Sequence, residues 1–128
     1  MDIVITLPVE LCAEILEGRK TVEVRKNYPK KFNCLKDRVY VIMKGTNKIV
    51  LSFTVSAFER YDSPLMLWHE YCYKIRVPYA WFKQYATGTN ALYVWKIETV
   101  SAYSPHPLAE KYLGITHNPQ SFIYVSQA

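Results

Sequence analysis

The segment Gly18-Arg19-Lys20-Thr21-Val22-Glu23-Val24-Arg25 decides the fold assignment, because it joins the end of a helix to the start of a strand. The residues before it predict an amphipathic helix over 8–17. Pro8 suits the first helical position and Gly18 a helix end. Apolar residues recur between them at helical spacing: Leu11, Cys12, Ile15 and Leu16.

The residues after the turn predict a strand over 21–25. Val22 and Val24 alternate with Glu23 and Arg25, so the two pairs face opposite sides of the strand. Residues i and i+2 of a strand lie about 7 Å apart, so Glu23 and Arg25 can share one pocket with Lys20 at the turn. The alternative is an ordinary charged outer face, where a salt bridge contributes about 0–1 kcal/mol.

The pattern Gly18-x-Lys20-x-x-Glu23-x-Arg25 resembles the G-x-K-x-x-E-x-R signature of the ASCH family, a branch of the PUA-like superfamily. The segment 92–97 is similar to the family's sheet core, and Pro119-Gln120-Ser121-Phe122 with Tyr124 resembles its closing stretch. The resemblance implies a small β-barrel whose cleft binds RNA or a modified nucleotide. It further implies that the cleft is lined by Lys20, Glu23, Arg25, Gln120 and Ser121.

The resemblance also leaves a hydrolase open as the alternative function. In the ribonuclease type, Glu23 would activate a 2′-hydroxyl as general base and Lys20 would stabilise the phosphorane, with Ser121 as a third catalytic residue. The amidohydrolase type acts on N4-acetylcytidine and has a threonine three residues after its lysine. This chain has Glu23 there, and Glu70 is a candidate for the distant glutamate only by chain order. The ribonuclease type is therefore favoured, and a protein-interaction module is the third hypothesis.

The rest of the chain predicts an α+β domain spanning residues 1–128. It would be a small PUA-like β-barrel, or a mixed and mostly antiparallel sheet, with helices packed outside. Further strands are predicted at 2–6, 38–43, 49–58, 91–100 and 122–125. Further helices are predicted from Ser63 to about Tyr71, from Pro78 to about Ala86, and as a turn over 108–113.

Charge is concentrated in one segment. The 128 residues carry 16 Lys and Arg against 11 Asp and Glu, a net charge of +5. Residues 19–48 hold ten basic and two acidic residues, a net +8. Such a cluster suits a nucleic-acid backbone, although a solvated lysine-rich surface would look the same. In the loop that follows the motif, Tyr28, Lys30 and Lys31 are candidate ligand-binding residues, because aromatic and basic side chains together bind single strands.

Other classes of protein are disfavoured. The longest apolar runs, such as 39–43, are far shorter than the roughly 20 residues of a membrane span, and no signal-peptide pattern precedes them. Three cysteines suit a reducing compartment, so a cytoplasmic protein is expected. Neither metal-ligand spacing nor a Gly-rich phosphate loop is present, which predicts no metal and no cofactor. The expected partner is RNA or a nucleotide-like ligand, with the chain a monomer or weak homodimer.

Overall fold

Six strands form one mixed sheet, and four helices lie against it. The computed structural model describes residues 1–126. The strands are β1 (Asp2–Leu7), β2 (Val22–Arg25), β3 (Val39–Met43), β4 (Ile49–Tyr61), β5 (Leu92–Ala102) and β6 (Ile123–Val125). The helices are α1 (Val9–Leu16), α2 (Pro64–Ile75), α3 (Tyr79–Ala86) and α4 (Ala109–Leu113). Across residues 1–126, no helix is long and apolar enough to cross a membrane.

The strand order is β2-β5-β4-β3-β1-β6. Among residues 1–126, only β1 and β3 run parallel, and the other neighbouring pairs are antiparallel. The predicted α+β class and the mixed, mostly antiparallel sheet are confirmed. Within the described part of the chain, β2 and β6 are the sheet edges and no ladder joins them. The predicted closed barrel is thus replaced by a sheet with two edges. Two irregularities in the β4–β5 register, at Phe53/Val55 and Val55/Phe58, are of the kind that bends a sheet.

Helix α2 and strand β4 run three or more residues further than the sequence predicted. Helix α2 continues past Tyr71 to Ile75 because the buried stripe Leu67, Tyr71 and Ile75 repeats every four residues. Its start is as expected, since Ser63 caps it by accepting a hydrogen bond from the Met66 amide at 3.2 Å. Strand β4 likewise continues beyond Phe58, where its last residues pair with the start of β5.

The turn between α1 and β2 brings the motif beneath the end of α2. Gly18 adopts a φ of 78°, which favours glycine, and ends α1. The Thr21 amide then donates to the Lys74 carbonyl at 3.1 Å. Val22 and Val24 face the apolar cluster under α2 and α3, as their alternation predicted. This packing turns the opposite face of β2, with Glu23 and Arg25, toward the rest of the site.

Candidate functional site

The three charged residues of the motif contact one another in the interior. The Lys20 Nζ lies 3.3 Å from Glu23 Oε1, and Arg25 Nε and Nη2 each lie 3.1 Å from Glu23 Oε2. The Lys20 side chain is fully buried, and those of Glu23 and Arg25 are 8% and 13% exposed. We call these three residues the charged floor. The alternative of an ordinary solvent-facing charged strand is wrong, because all three side chains are largely removed from solvent.

Both oxygen atoms of Glu23 are occupied by donors from the protein. Oε1 accepts from the Val24 amide at 3.1 Å and faces Lys20, while Oε2 receives two nitrogens of Arg25. A carboxylate has about four acceptor positions, so these contacts fill them. Lys20 and Arg25 carry more N–H groups than Glu23 accepts, and the charged floor therefore presents donors rather than acceptors.

Burial and charge set the ionisation of the floor. Burial lowers the pKa of the Lys20 ammonium, and the neighbouring Glu23 carboxylate offsets part of that effect. Burial alone would raise the pKa of Glu23, but Lys20 and Arg25 outweigh it and hold the Glu23 pKa below its usual value. The carboxylate is thus ionised near neutral pH, with two cations around it.

Lys20 also closes the end of α2. Its Nζ donates to the Ile75 carbonyl at 2.8 Å, and Ile75 is the last residue of that helix. The last carbonyls of a helix lack partners within it and carry partial negative charge. One buried ammonium therefore serves the Glu23 carboxylate and the terminal carbonyl of α2 together.

A cavity of about 440 Å³ opens above the charged floor. Its walls come from the β1–α1 junction, the α2–α3 connection, α3 and the segment before β6. Besides the floor, the lining includes Thr6, Leu7, Pro8, Glu10, Leu11, Arg76, Trp81, Phe82, Tyr85 and Gln120. Pockets of this volume with mostly apolar walls and a few polar groups are typical small-molecule sites.

An aromatic pair forms part of the α3 wall. The rings of Trp81 and Tyr85 are 5.2 Å apart between centroids and tilted by only 8°. We call this pair the aromatic shelf. The helical spacing of Trp81, Phe82 and Tyr85 is typical of a core-facing stripe, and Phe82 is buried. Trp81 instead remains 50% exposed, and it lines the cavity.

The closing segment, residues 119–122, reaches the charged floor through its backbone. The Arg25 Nη1 donates to the Ser121 carbonyl at 3.3 Å. This bond links the β2 edge of the sheet to the residues leading into β6. Gln120 lines the cavity, whereas Ser121 is exposed outside the lining.

The loop candidates lie away from the cavity. The Tyr28 ring packs against Phe58 and Tyr93, with centroids 5.5 and 4.8 Å away. Lys30 and Lys31 are exposed, and the Lys31 Nζ sits over the Tyr124 ring. The structure therefore does not bring these three predicted ligand-binding residues to the charged floor.

Seven of the ten basic residues in the segment 19–48 are exposed. Of its ten basic residues, Lys20 and Arg25 line the cavity. Arg38 bonds Ser52 and Ser101 elsewhere on the sheet. The sequence prediction missed Arg76, a third basic residue of the lining, which pairs with Glu14 at 3.2 Å. No sequence signal marked it, because it lies fifty residues beyond the motif.

The distant glutamate of the amidohydrolase alternative does not reach the cavity. Glu70, the candidate distant glutamate, accepts from the Tyr61 hydroxyl at 2.6 Å and is absent from the cavity lining. In residues 1–126, no cluster of three or more His, Cys, Asp or Glu is arranged to hold a metal ion.

In its fold, the chain is similar to solved ASCH proteins. The chain is similar in structure to the ASCH protein of Zymomonas mobilis, with a TM-score of 0.83, 20% identity, and coverage of 98% of this chain and 96% of that one. A serine-to-alanine mutant of that protein gives a TM-score of 0.84 at 19% identity, covering 98% and 88%. The hypothetical protein PH0355 gives 0.55 at 19% identity, covering 74% and 95%.

These likenesses confirm the predicted ASCH fold. No protein-family model matches the chain, and neither does any curated protein sequence. The assignment of the ASCH fold therefore rests on structural similarity. Any functional proposal has to rest on the residues of the site.

Proposed function

We propose that the cavity binds RNA or a nucleotide-like ligand. The observation that carries this proposal is the convergence of Lys20, Glu23 and Arg25 at the floor of a cavity whose wall holds Trp81 and Tyr85. A charged end and an aromatic wall suit a ligand that is both anionic and planar. The ASCH fold adds support, since the motif resemblance implies ligands of this class.

The hydrogen-bonding state of the floor specifies what it would bind. Glu23 already accepts from Val24, Arg25 and Lys20. The N–H groups that remain on Arg25, together with the partly exposed Arg76, would meet oxygen acceptors such as a phosphate or a ring carbonyl. Glu23 then acts as a positioning residue that fixes the two cations, and it does not read an amine of the ligand.

The same contacts weigh against the hydrolase alternative. A general base needs a free lone pair and a pKa close to the working pH. Glu23 has its oxygens occupied, and its pKa lies below the ordinary value because Lys20 and Arg25 outweigh burial. Ser121, the third catalytic candidate, contacts the site through its carbonyl.

Fluorescence anisotropy with labelled single-stranded RNA tests the proposal. Binding is expected at low salt and should weaken steeply as salt is raised, because phosphate contacts release counterions. Arg25→Gln should reduce it, whereas Arg38→Gln, which alters an arginine outside the cavity lining, should leave it unchanged. Absence of RNA binding at low salt, or an equal loss in both variants, would refute the proposal.

A further inference from the structure

The two rings of the aromatic shelf differ in exposure: Tyr85 is largely covered, whereas Trp81 is half exposed. Tyr85 stacks against the Trp81 ring, and the Lys26 ammonium also lies over the Tyr85 ring, with its Nζ 4.8 Å from the Tyr85 centroid. Trp81 has Tyr85 against one face and still keeps half of its surface exposed. An exposed indole that lines a cavity can cover an apolar part of a ligand, and aromatic side chains are common in the walls of ligand pockets.

The shelf is fixed relative to the charged floor. The Tyr85 hydroxyl accepts a hydrogen bond from the Lys26 amide at 3.2 Å, and Lys26 directly follows Arg25. Burial raises the pKa of Tyr85, so the hydroxyl stays protonated and neutral. The Tyr85 ring is therefore held by a hydrogen bond at its hydroxyl, by the Lys26 ammonium and by stacking on Trp81. This arrangement holds the Trp81 ring in a set orientation before any ligand arrives.

From this geometry we infer that the ligand contributes an unpaired aromatic base, which stacks on the open face of Trp81 and extends the Trp81–Tyr85 stack. The inference rests on the proposed function and specifies it. A base inside a duplex already has both faces covered by its neighbours, so it cannot use this surface. The ligand class is thus a single-stranded or extruded nucleotide, or a free one.

The stack and the floor would act on different parts of such a ligand. Every nucleobase has a π face, so stacking on Trp81 tolerates all four bases. The donors of Arg25 and Arg76 would bind its oxygen acceptors. A ligand with the phosphate but without the base should therefore lose the contribution of the shelf, which separates the two sources of affinity.

Competition against labelled single-stranded RNA provides the test. Uridine 5′-monophosphate and adenosine 5′-monophosphate should displace the RNA, and ribose 5-phosphate should compete far less well. Trp81→Leu should weaken RNA binding by on the order of tenfold or more, while Trp81→Phe, which keeps an aromatic ring, should lose less. Tyr73→Leu is the matched control, because Tyr73 is 87% exposed and lies outside the cavity lining.

The outcomes separate the inference from the proposed function. If RNA binds the wild-type protein but Trp81→Leu binds it equally well, the stacking inference is overturned and the proposed function stands. The same holds if ribose 5-phosphate competes as well as the nucleotides. If the wild-type protein binds neither RNA nor nucleotides, both fail. Circular dichroism of Trp81→Leu should match the wild type, since the replaced side chain is half exposed.

Discussion

Arg25 contacts one oxygen of Glu23 with two nitrogens, since its Nε and Nη2 both lie 3.1 Å from Oε2. The other oxygen faces Lys20 at 3.3 Å. A carboxylate held between two cations and largely removed from water is coupled to both, so changing one member alters the environment of the others. This coupling leads to predictions for stability as well as for binding.

Glu23→Gln should strongly destabilise the fold. The substitution removes the negative charge that compensates the fully buried Lys20 ammonium, and breaking a buried ion pair from one side costs about 3–5 kcal/mol. Urea unfolding followed by circular dichroism measures the change in the free energy of unfolding. Glu98→Gln, at an exposed position, is the control and should change it by less than about 0.5 kcal/mol. Equal effects of the two substitutions would contradict the prediction.

A double-mutant cycle should show that Lys20 and Glu23 act as a unit. Lys20→Met keeps the apolar stem and leaves a buried carboxylate with one cation fewer. The double variant, Lys20→Met with Glu23→Gln, removes both charges together. Its destabilisation should be smaller than the sum of the two single effects by about 0.5–3 kcal/mol. Simple additivity in urea unfolding would show that the 3.3 Å contact contributes nothing.

Acid should weaken the contribution of Glu23. Burial raises its pKa, but Lys20 and Arg25 outweigh burial, so its folded pKa lies below the ordinary value of 4.5. The unfolded chain therefore takes up the proton first as the pH falls. The stabilisation is complete above about pH 4.5 and is lost as the pH drops through the lower folded pKa.

The difference in stability between the wild type and Glu23→Gln isolates this effect, because the other carboxylates titrate in both proteins. That difference should be constant near neutral pH and shrink below about pH 4.5. Urea unfolding at a series of pH values gives it directly. A difference that grows on acidification would mean that the folded pKa of Glu23 is raised.

Arg25→Lys should lower both stability and RNA affinity although it preserves the charge. A lysine cannot reproduce the two-nitrogen contact with Glu23 together with the bond to the Ser121 carbonyl. Arg38→Lys is a matched substitution, because Arg38 also bonds several groups but lies outside the cavity lining. Both variants should unfold at a lower temperature than the wild type. In the RNA anisotropy experiment, only Arg25→Lys should bind more weakly. Loss of RNA binding in both would indicate a general effect on folding.

The cysteines should differ sharply in reactivity. Burial raises the pKa of the Cys12 thiol to about 11, and its Sγ points to the Leu7 carbonyl at 3.7 Å. Cys34 is exposed. Iodoacetamide treatment of the folded protein followed by peptide mass spectrometry should find Cys34 alkylated and Cys12 protected. Equal alkylation of Cys12 and Cys34 without denaturant would show that α1 does not bury its thiol.

The local sequence was sufficient to predict the meeting of the motif residues. The i, i+2 spacing in a strand places Glu23 beside Arg25, and the helix-to-strand turn places Lys20 next to them. Their burial could not be predicted in the same way, because their partners come from distant parts of the chain, Ile75 for Lys20 and Ser121 for Arg25. The motif alone therefore could not separate a buried charge cluster from an exposed strand face.

The positions of the aromatic residues relative to the cavity could not be predicted from the sequence. A helical repeat of Trp81, Phe82 and Tyr85 predicts one apolar stripe, but α3 packs with Phe82 inward and leaves Trp81 over the cavity. Conversely, the aromatic and lysine loop suggested ligand binding, while Tyr28 fills a gap beside Phe58. Tertiary packing decides which aromatic ring reaches a site, and a local sequence pattern does not predict that packing.

The two contacts of the Lys20 ammonium mean that some residues of the site tolerate substitution less well than others. Because Lys20 bonds both Glu23 and the last carbonyl of α2, a substitution of Lys20 also releases a helix end. Ligand preference is then most readily altered at exposed side chains of the cavity wall, whose substitution affects folding least. Trp81 and Gln120 are such positions, exposed and lining the cavity. Redesign of this pocket for a new ligand should therefore begin at its rim.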